Sequence, residues 1–504
     1  MNFSPKIEAF SSPAFADYGN LSQRNESEGK RVPGITRGLL GIGVLAALLT
    51  GSVRAASPPT APPPQDAATA KSILAELLAI DTTYEKGTVA AVEALRKRFI
   101  AAGFPTADLV VVANPSTPAQ SNLIVKLKGH GRGKPLLYLC HLDVVAAKPE
   151  DWTVPPFALT EKDGWLYGRG SLDMKGDDAN VATALLRLKR EGYVPARDII
   201  VAFTADEESA GGEGVAWLVK AHRDLIDAGL VLNPDDGTAA FRDGRRAFYG
   251  VQTSEKTYVT FVAEAVNKGG HSSEPRSDNA IYELTAALQR LAAFKFPIRL
   301  TDTTRAFYAS QAPFETGARQ EYMRAVGKGD INAAEQLAAD PSDNARLRTT
   351  CVATMLEAGH AENALPQRAR ATIQCRMLPG ETQEHVQAEL QRVFADPGLK
   401  ITITVPAASG PESPPTEAVM AIYTRVVHSM WPGLPVMPSM DAGASDSVYT
   451  RAAGMPSYGA ISNFFDLEDY RAHGQDERIK ADRFVEGGEF AYRLMKAFSG
   501  AAAP

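Results

Sequence analysis

The chain has 504 residues, 44% of them hydrophobic and 22% charged, and a net charge of −6. It is long enough for two or three domains with a substantial core. An acidic balance without a long basic run speaks against nucleic acid as a partner and against an anionic membrane surface.

Residues 1–29 are polar and show no periodicity. Lys30, Arg31 and Arg37 then precede an apolar run over 38–50 and the small-residue site Val53-Arg54-Ala55-Ala56. That succession predicts an N-terminal extension with a secretory signal in 1–56, and residues 57–65 read as a Pro-rich linker. The apolar run is shorter than the ~20 residues that span a bilayer, so no stable membrane insertion is expected after cleavage. An uncleaved anchor is the alternative, and the polar stretch ahead of the signal fits a translation start downstream of Met1. The expected location is exported, periplasmic or secreted. Three cysteines, an odd number, cannot form a disulfide framework. Cys140 abuts His141 and reads as a buried thiol, and whether Cys351 pairs with Cys375 stays open.

From Asp66 helices and strands alternate. Helices are predicted over 68–80 and 89–102, a strand over 136–140, a helix over 179–191, and strands over 199–205 and 230–233. His130 lies in a Gly-rich turn expected to close a hairpin. Alternating strands and helices imply an α/β layered domain with a central, mostly parallel sheet. This first catalytic part spans 66–252. The pattern then changes. An alternating strand over 258–263 precedes a helix stripe of Ile281, Leu284, Leu288 and Leu291. Strands over 372–377 and 400–405 flank a helix carrying Val386, Leu390 and Val393. Residues 253–410 are therefore an α+β insert that interrupts the first domain, and 411–504 complete that domain.

The acids and histidines gather where strands end. His141-Leu-Asp143 follows the strand over 136–140, and functional groups of open α/β sheets collect at carboxyl ends. His141 can present one ring nitrogen to a metal while Asp143 accepts the other N–H. A purely structural His–Asp bond would look the same at this level. The run 168–176, GRGSLDMKG, lacks the spacing and ending of a phosphate loop, and no strand leads cleanly into it. It reads better as a flexible frame around Asp173, a carboxylate able to bridge two divalent ions. Asp206-Glu207-Glu208 ends the strand over 199–205. One glutamate can ligate metal while its neighbour takes a proton from water, although an exposed acidic turn is the common alternative. Asn233-Pro-Asp235-Asp236 repeats the arrangement after the next strand. Among eight histidines, only His271 and His473 share polar, loop-like surroundings suited to a ligand or catalyst.

Singly these signals are weak, but their order is specific. HLDVV, GRGSLDMKG, TADEES, GGHSSEP, CRMLPG and HGQDERI, in that succession from about Asp66 to Phe498, resemble the di-zinc peptidase family of aminoacylase, glutamate carboxypeptidase and succinyl-diaminopimelate desuccinylase. The resemblance implies a zinc-peptidase catalytic domain interrupted by a lid and dimerisation domain. It implies two Zn2+ ions, with Co2+ or Mn2+ as substitutes, held by His141, Asp173, Glu208, Asp235 and His473, with Asp173 bridging. Asp235 is preferred to its neighbour Asp236 because relatives read N-x-D there. Glu207 is the implied general base and acid, Asp143 orients His141, and His271 reaches across a homodimer to the developing oxyanion. Asn363, Arg376, Gly443 and Ser445 match positions that contact substrate. The implied reaction is hydrolysis of a peptide or N-acyl amino-acid amide bond, of the carboxypeptidase or dipeptidase type, with an aminoacylase, deacetylornithine- or desuccinylase-type deacylase as the alternative. Ala146 replaces a common proline, and the insert is long between Phe296 and Thr350. A catalytically dead binding protein on this fold would lack a ligand or the base, yet every position is filled. A single-metal hydrolase would hold one ion instead of two.

Overall fold

In the computed structural model, residues 60–209, 212–242 and 244–500 are described. The predicted signal lies outside them. The central sheet runs, in spatial order, through Leu109–Ala113, Ser121–Leu127, Ile199–Thr204, Leu136–His141, Leu230–Asn233 and Ser457–Gly459. The first two junctions are antiparallel and the other three parallel. Leu136–His141, Ile199–Thr204 and Leu230–Asn233 are buried at every position, because both faces of the sheet are covered. On one face the helices Pro64–Leu78, Lys175–Arg190, Glu417–Met430 and Ala481–Gly500 contribute Ile73, Leu185, Val427 and Leu494 to a core shared with Leu136 and Val201. On the other, Val215–Ala221 sets Leu218 against Leu139, Ile200 and Val231.

Three local expectations change. The loop around His130 does not close a hairpin, because Ser121–Leu127 and Leu136–His141 lie on opposite sides of Ile199–Thr204. The His130 amide instead donates to the carbonyl of Pro195. A short strand, Trp165–Tyr167, does lead into the glycine-rich run. The helix expected over 179–191 begins at Lys175. Its first turn is polar and so escapes a search for hydrophobic periodicity, yet it is buried. The Lys175 ammonium donates to the carbonyls of Leu77 and Ile80, 3.0 and 2.9 Å away, which makes that burial tolerable.

A second sheet joins Val436–Asp441, Arg245–Glu255, Thr238–Arg242 and Phe465–Asp466. A third, wholly antiparallel, orders Thr350–Ala358, Arg368–Met377, Thr257–Val266 and Lys400–Val405. Helices Ala280–Ala293 and Gln383–Phe394 cover one of its faces, with Leu284 and Val386 packed with Phe261 and Ile373. Cys351 stands opposite Cys375 across two neighbouring strands, and the two are disulfide-bonded. Cys140 is a buried free thiol. The long stretch after Phe296 folds into helices Asp302–Gln311, Gly317–Gly327, Ile331–Leu337 and Pro341–Leu347. They enclose a small core of their own around Tyr308, Met323 and Leu347.

Candidate active site

The parallel strands of the central sheet end along one edge, and that edge collects the acids and one of the imidazoles. His141 is the last residue of its strand. Its Nδ1 lies 3.1 Å from the backbone carbonyl of Asp143. Its Nε2 faces Asp173 Oδ1 at 3.2 Å and Asp235 Oδ1 at 3.7 Å. The expectation that the Asp143 carboxylate would take the ring N–H needs correction. That carboxylate stands 3.7 Å from Nδ1 and instead accepts the backbone N–H groups of Glu207 and Glu208, at 3.2 and 3.0 Å. The reason lies in the turn after Ile199–Thr204. Asp206 takes a left-handed φ of 62°, and the two amides beyond it need a buried acceptor.

Asp173 enters from the glycine-rich loop, just ahead of a cis peptide to Met174. Its second oxygen, Oδ2, lies 3.2 Å from Nε2 of His473, and the same Nε2 is 2.8 Å from Glu208 Oε2. Asp173 thus shows one oxygen to each histidine. The neighbours Asp235 and Asp236 separate cleanly. Asp236 is fully engaged, accepting from Gln252 Nε2 at 2.7 Å, Ser445 Oγ at 3.0 Å and Asn233 Nδ2 at 3.1 Å. Asp235 is the one that faces His141.

Burial dominates the electrostatics of this cluster. Burial, reinforced by the Asp235 charge, pushes the Glu207 carboxyl well above its ordinary range. Burial likewise raises Asp235 to about 7, against the pull of His141. Asp446, on the same cavity wall, rises to about 8 through burial, with Asp143 and Asp235 adding against the pull of His141. At Asp173 burial also acts upward, but bonds to His141 and His473 outweigh it and hold the carboxyl low. Bonds to Asp173 and Glu208 lift His473 to about 10. Crowded buried acids of this kind hold protons until a cation replaces them. The ligand atoms of His141, Asp173 and Glu208 lie within 4.8 Å of one another, as do those of His141, Glu207 and Asp235. Imidazole nitrogens and carboxylate oxygens form a donor set that fits a divalent transition metal.

Residues 137–497 match peptidase family M20/M25/M40. The chain belongs to this family. It is 30% identical over 376 residues to the N-fatty-acyl-amino acid synthase/hydrolase PM20D1 of Xenopus tropicalis, covering 72% of each chain. It is 26% identical over 370 residues to aminoacylase-1 of Mus musculus, covering 72% of this chain and 80% of that one. The fold matches the M20 family metallo-carboxypeptidase of Sulfolobus solfataricus with a TM-score of 0.64 at 17% identity, covering 85% of this chain and 99% of that one. This M20-family member is therefore a metallopeptidase or amidohydrolase acting on C–N amide bonds, with the α/β catalytic fold and α+β insert read from its sequence.

Around the cluster, this M20 hydrolase has a cavity of about 890 Å3. Arg376, Gly443 and Ser445 lie on its wall. The Arg376 guanidinium sits 5.4 Å over the Tyr258 ring. Ser445 has its hydroxyl committed to Asp236 and its amide to Glu255, so it shapes the wall from behind. His271 and Asn363 do not line the cavity. They are exposed on two short paired strands, Gly270–His271 and Ala364–Leu365, and their immediate flanks, where Ser272 N donates to the Asn363 carbonyl at 3.1 Å. Three groups near the centre were not singled out from sequence. Asp446 follows directly on Ser445, Glu477 stands inside the HGQDERI motif and Arg169 inside the glycine-rich run, but no local pattern marks any of them as buried.

Proposed function

We propose that this hydrolase holds two Zn2+ ions, one between His141, Asp173 and Asp235 and the other between Asp173, Glu208 and His473, with Co2+ or Mn2+ as substitutes. The observation that carries this reading is Asp173, whose two oxygens each face a different histidine at 3.2 Å. When bound, such ions polarise the scissile carbonyl and acidify water. Glu207 accepts a proton from the attacking water and passes it to the leaving amine. Its buried setting raises its proton affinity, which suits a group that must both take and return a proton. Asp143 keeps Glu207 and Glu208 in place through their amides. Arg376 receives the free carboxylate of the substrate by charge-assisted hydrogen bonds. The apolar lining residues Val405, Pro406, Val448, Phe465 and Leu467 contact the acyl part.

The substrate is a short peptide or an N-acyl amino acid with a free carboxylate. The N-acyl form is favoured by the similarity to an N-fatty-acyl-amino acid synthase/hydrolase and to aminoacylase-1. Glu207→Gln should retain both ions by elemental analysis and lose hydrolysis of a dipeptide and N-acyl amino-acid panel. Near-normal turnover would remove Glu207 from its role.

The insert, 253–410, is the lid and homodimer element. The outer strand Thr350–Ala358 supports this, because it leaves Val352, Met355 and Leu356 exposed at the sheet edge. In the dimer, His271 and Asn363 of one protomer serve the site of the other. We place the enzyme outside the cytoplasm. The signal-like segment and the Cys351–Cys375 disulfide both support export, and among the described residues no helix is long and apolar enough to cross a membrane.

A further inference from the structure

The two halves of the metal cluster are anchored differently. His141 and Asp235 sit at or just beyond the ends of buried strands of the central sheet. Asp173 and His473 sit on loops from distant parts of the chain, and His473 has a left-handed φ of 63°. Something must set those two loops against each other, and one buried ion pair touches both. Glu477 Oε1 accepts the backbone N–H of Leu172 at 2.8 Å and of Asp173 at 3.0 Å. Its Oε2 accepts the N–H of Gly170 at 3.0 Å and Arg169 Nη1 at 2.6 Å. The other arm of the guanidinium, Nη2, donates to the carbonyls of His473 at 3.3 Å and Gly474 at 3.1 Å. The pair is sealed from water, with side-chain exposures of 3% and 0%, and Trp152 lies 5.1 Å from the guanidinium.

We infer that the Arg169–Glu477 pair is a positioning device for the His473 side of the metal centre, holding the backbone of Asp173 and the turn of His473 in register so that this side can bind its ion. The inference rests on the two-ion reading above. Each partner uses both ends of a planar, bidentate group, and neither touches a ligand atom. The pair acts only through backbone groups that carry the ligands. Groups behind metal ligands typically alter affinity by about 10- to 100-fold, and here the effect falls chiefly on the ion that draws both Asp173 and His473 from these loops. The His141 side shares Asp173 but keeps His141 and Asp235 on their strand ends, so its affinity should change less.

Two variants test this. Glu477→Gln keeps the shape, but its amide NH2 meets the donors of Arg169 and Gly170. Arg169→Lys keeps the charge opposite Glu477 but loses the fork to the His473 and Gly474 carbonyls. Metal-free full-length proteins are titrated stepwise with Co2+, following ion stoichiometry by elemental analysis after dialysis and the visible spectrum of each ion as it binds. Wild type should take up two ions. Each variant should bind the first only slightly more weakly and the second about 10- to 100-fold more weakly, with the spectral change of the second ion displaced to higher Co2+. The melting temperatures of the metal-free variants are measured alongside. Arg169→Lys keeps the buried charges balanced, so it carries the test if Glu477→Gln does not fold. Equal affinities in wild type and Arg169→Lys would overturn the inference. Equal weakening of both ions together with a lowered melting temperature would also overturn it, by showing a general structural role. A wild type that binds fewer than two ions would instead overturn the two-ion reading.

Discussion

Replacing Asp235 by Asn separates two charges that the centre must manage, the proton and the metal. In the metal-free protein the Asp235 carboxyl is raised from 3.8 to about 7, by burial first and by the Asp173 charge, against the pull of His141. A raised carboxyl binds its proton more tightly in the folded chain than in the unfolded one. Its stabilisation is therefore complete below the unfolded value and is lost as pH rises through the folded one. Each tenfold change in acid constant is worth about 1.4 kcal/mol. Moving from 3.8 to about 7 corresponds to about 4 kcal/mol at most, lost between roughly pH 4 and pH 7. Asn carries no proton to lose. Metal-free Asp235→Asn should thus match metal-free wild type near pH 4 and exceed its stability by up to about 4 kcal/mol near pH 8. In the proposed two-ion centre the order reverses with metal, because the variant lacks the Asp235 ligand. Thermal and denaturant unfolding of chelated and zinc-loaded proteins across this range would read both arms. A metal-free variant less stable than wild type near pH 8, or a variant still fully stabilised by zinc, would refute the reasoning.

The remaining predictions concern groups whose contacts are equally specific. Asp143→Asn offers one acceptor where two amides donate, so turnover should fall about 10- to 100-fold with metal content preserved, as kinetics and elemental analysis on one sample would show; unchanged turnover would mean the amides need no carboxylate. Arg451 donates to Glu255, Gln252, Ser413 and the Ser457 carbonyl while fully buried. Arg451→Met should cost about 3–5 kcal/mol, the usual consequence of leaving a buried charge without its partner, and an unshifted denaturation midpoint would contradict it. Chains carrying Glu207→Gln and His271→Ala should each be inactive alone yet regain activity when allowed to form mixed dimers, because one site then has its own Glu207 and the partner's His271. No recovery in verified mixed dimers would place His271 outside the neighbouring site.

Local pattern and motif order carry a great deal here. The continuous apolar runs at 136–140, 199–205 and 230–233 read as strands because a sheet covered on both faces has no polar side to alternate with. Their carboxyl ends carry His141, Glu207, Glu208 and Asp235, and the structure gathers these with Asp173 and His473. The four helices after Phe296 were not legible, since short helices packed on a small core of their own carry little periodicity. The start of the helix at Lys175 was hidden by polar residues whose burial depends on carbonyls almost a hundred positions earlier in the chain.

The sequence alone determines the family, the α/β frame with its insert, and the residue types from which the proposed metal centre is built, because these depend on hydrophobic runs and on motifs contiguous in the chain. Only the tertiary structure decides how those residues divide the work. Asp143 serves the amides of Glu207 and Glu208 instead of the ring of His141. Asp235 faces His141, while Asp236 is engaged by Gln252 and Ser445. Arg169 and Glu477, 308 positions apart, join the Asp173 and His473 loops. Each of these depends on which buried donor meets which acceptor across elements distant in the chain, and no local periodicity records such a pairing.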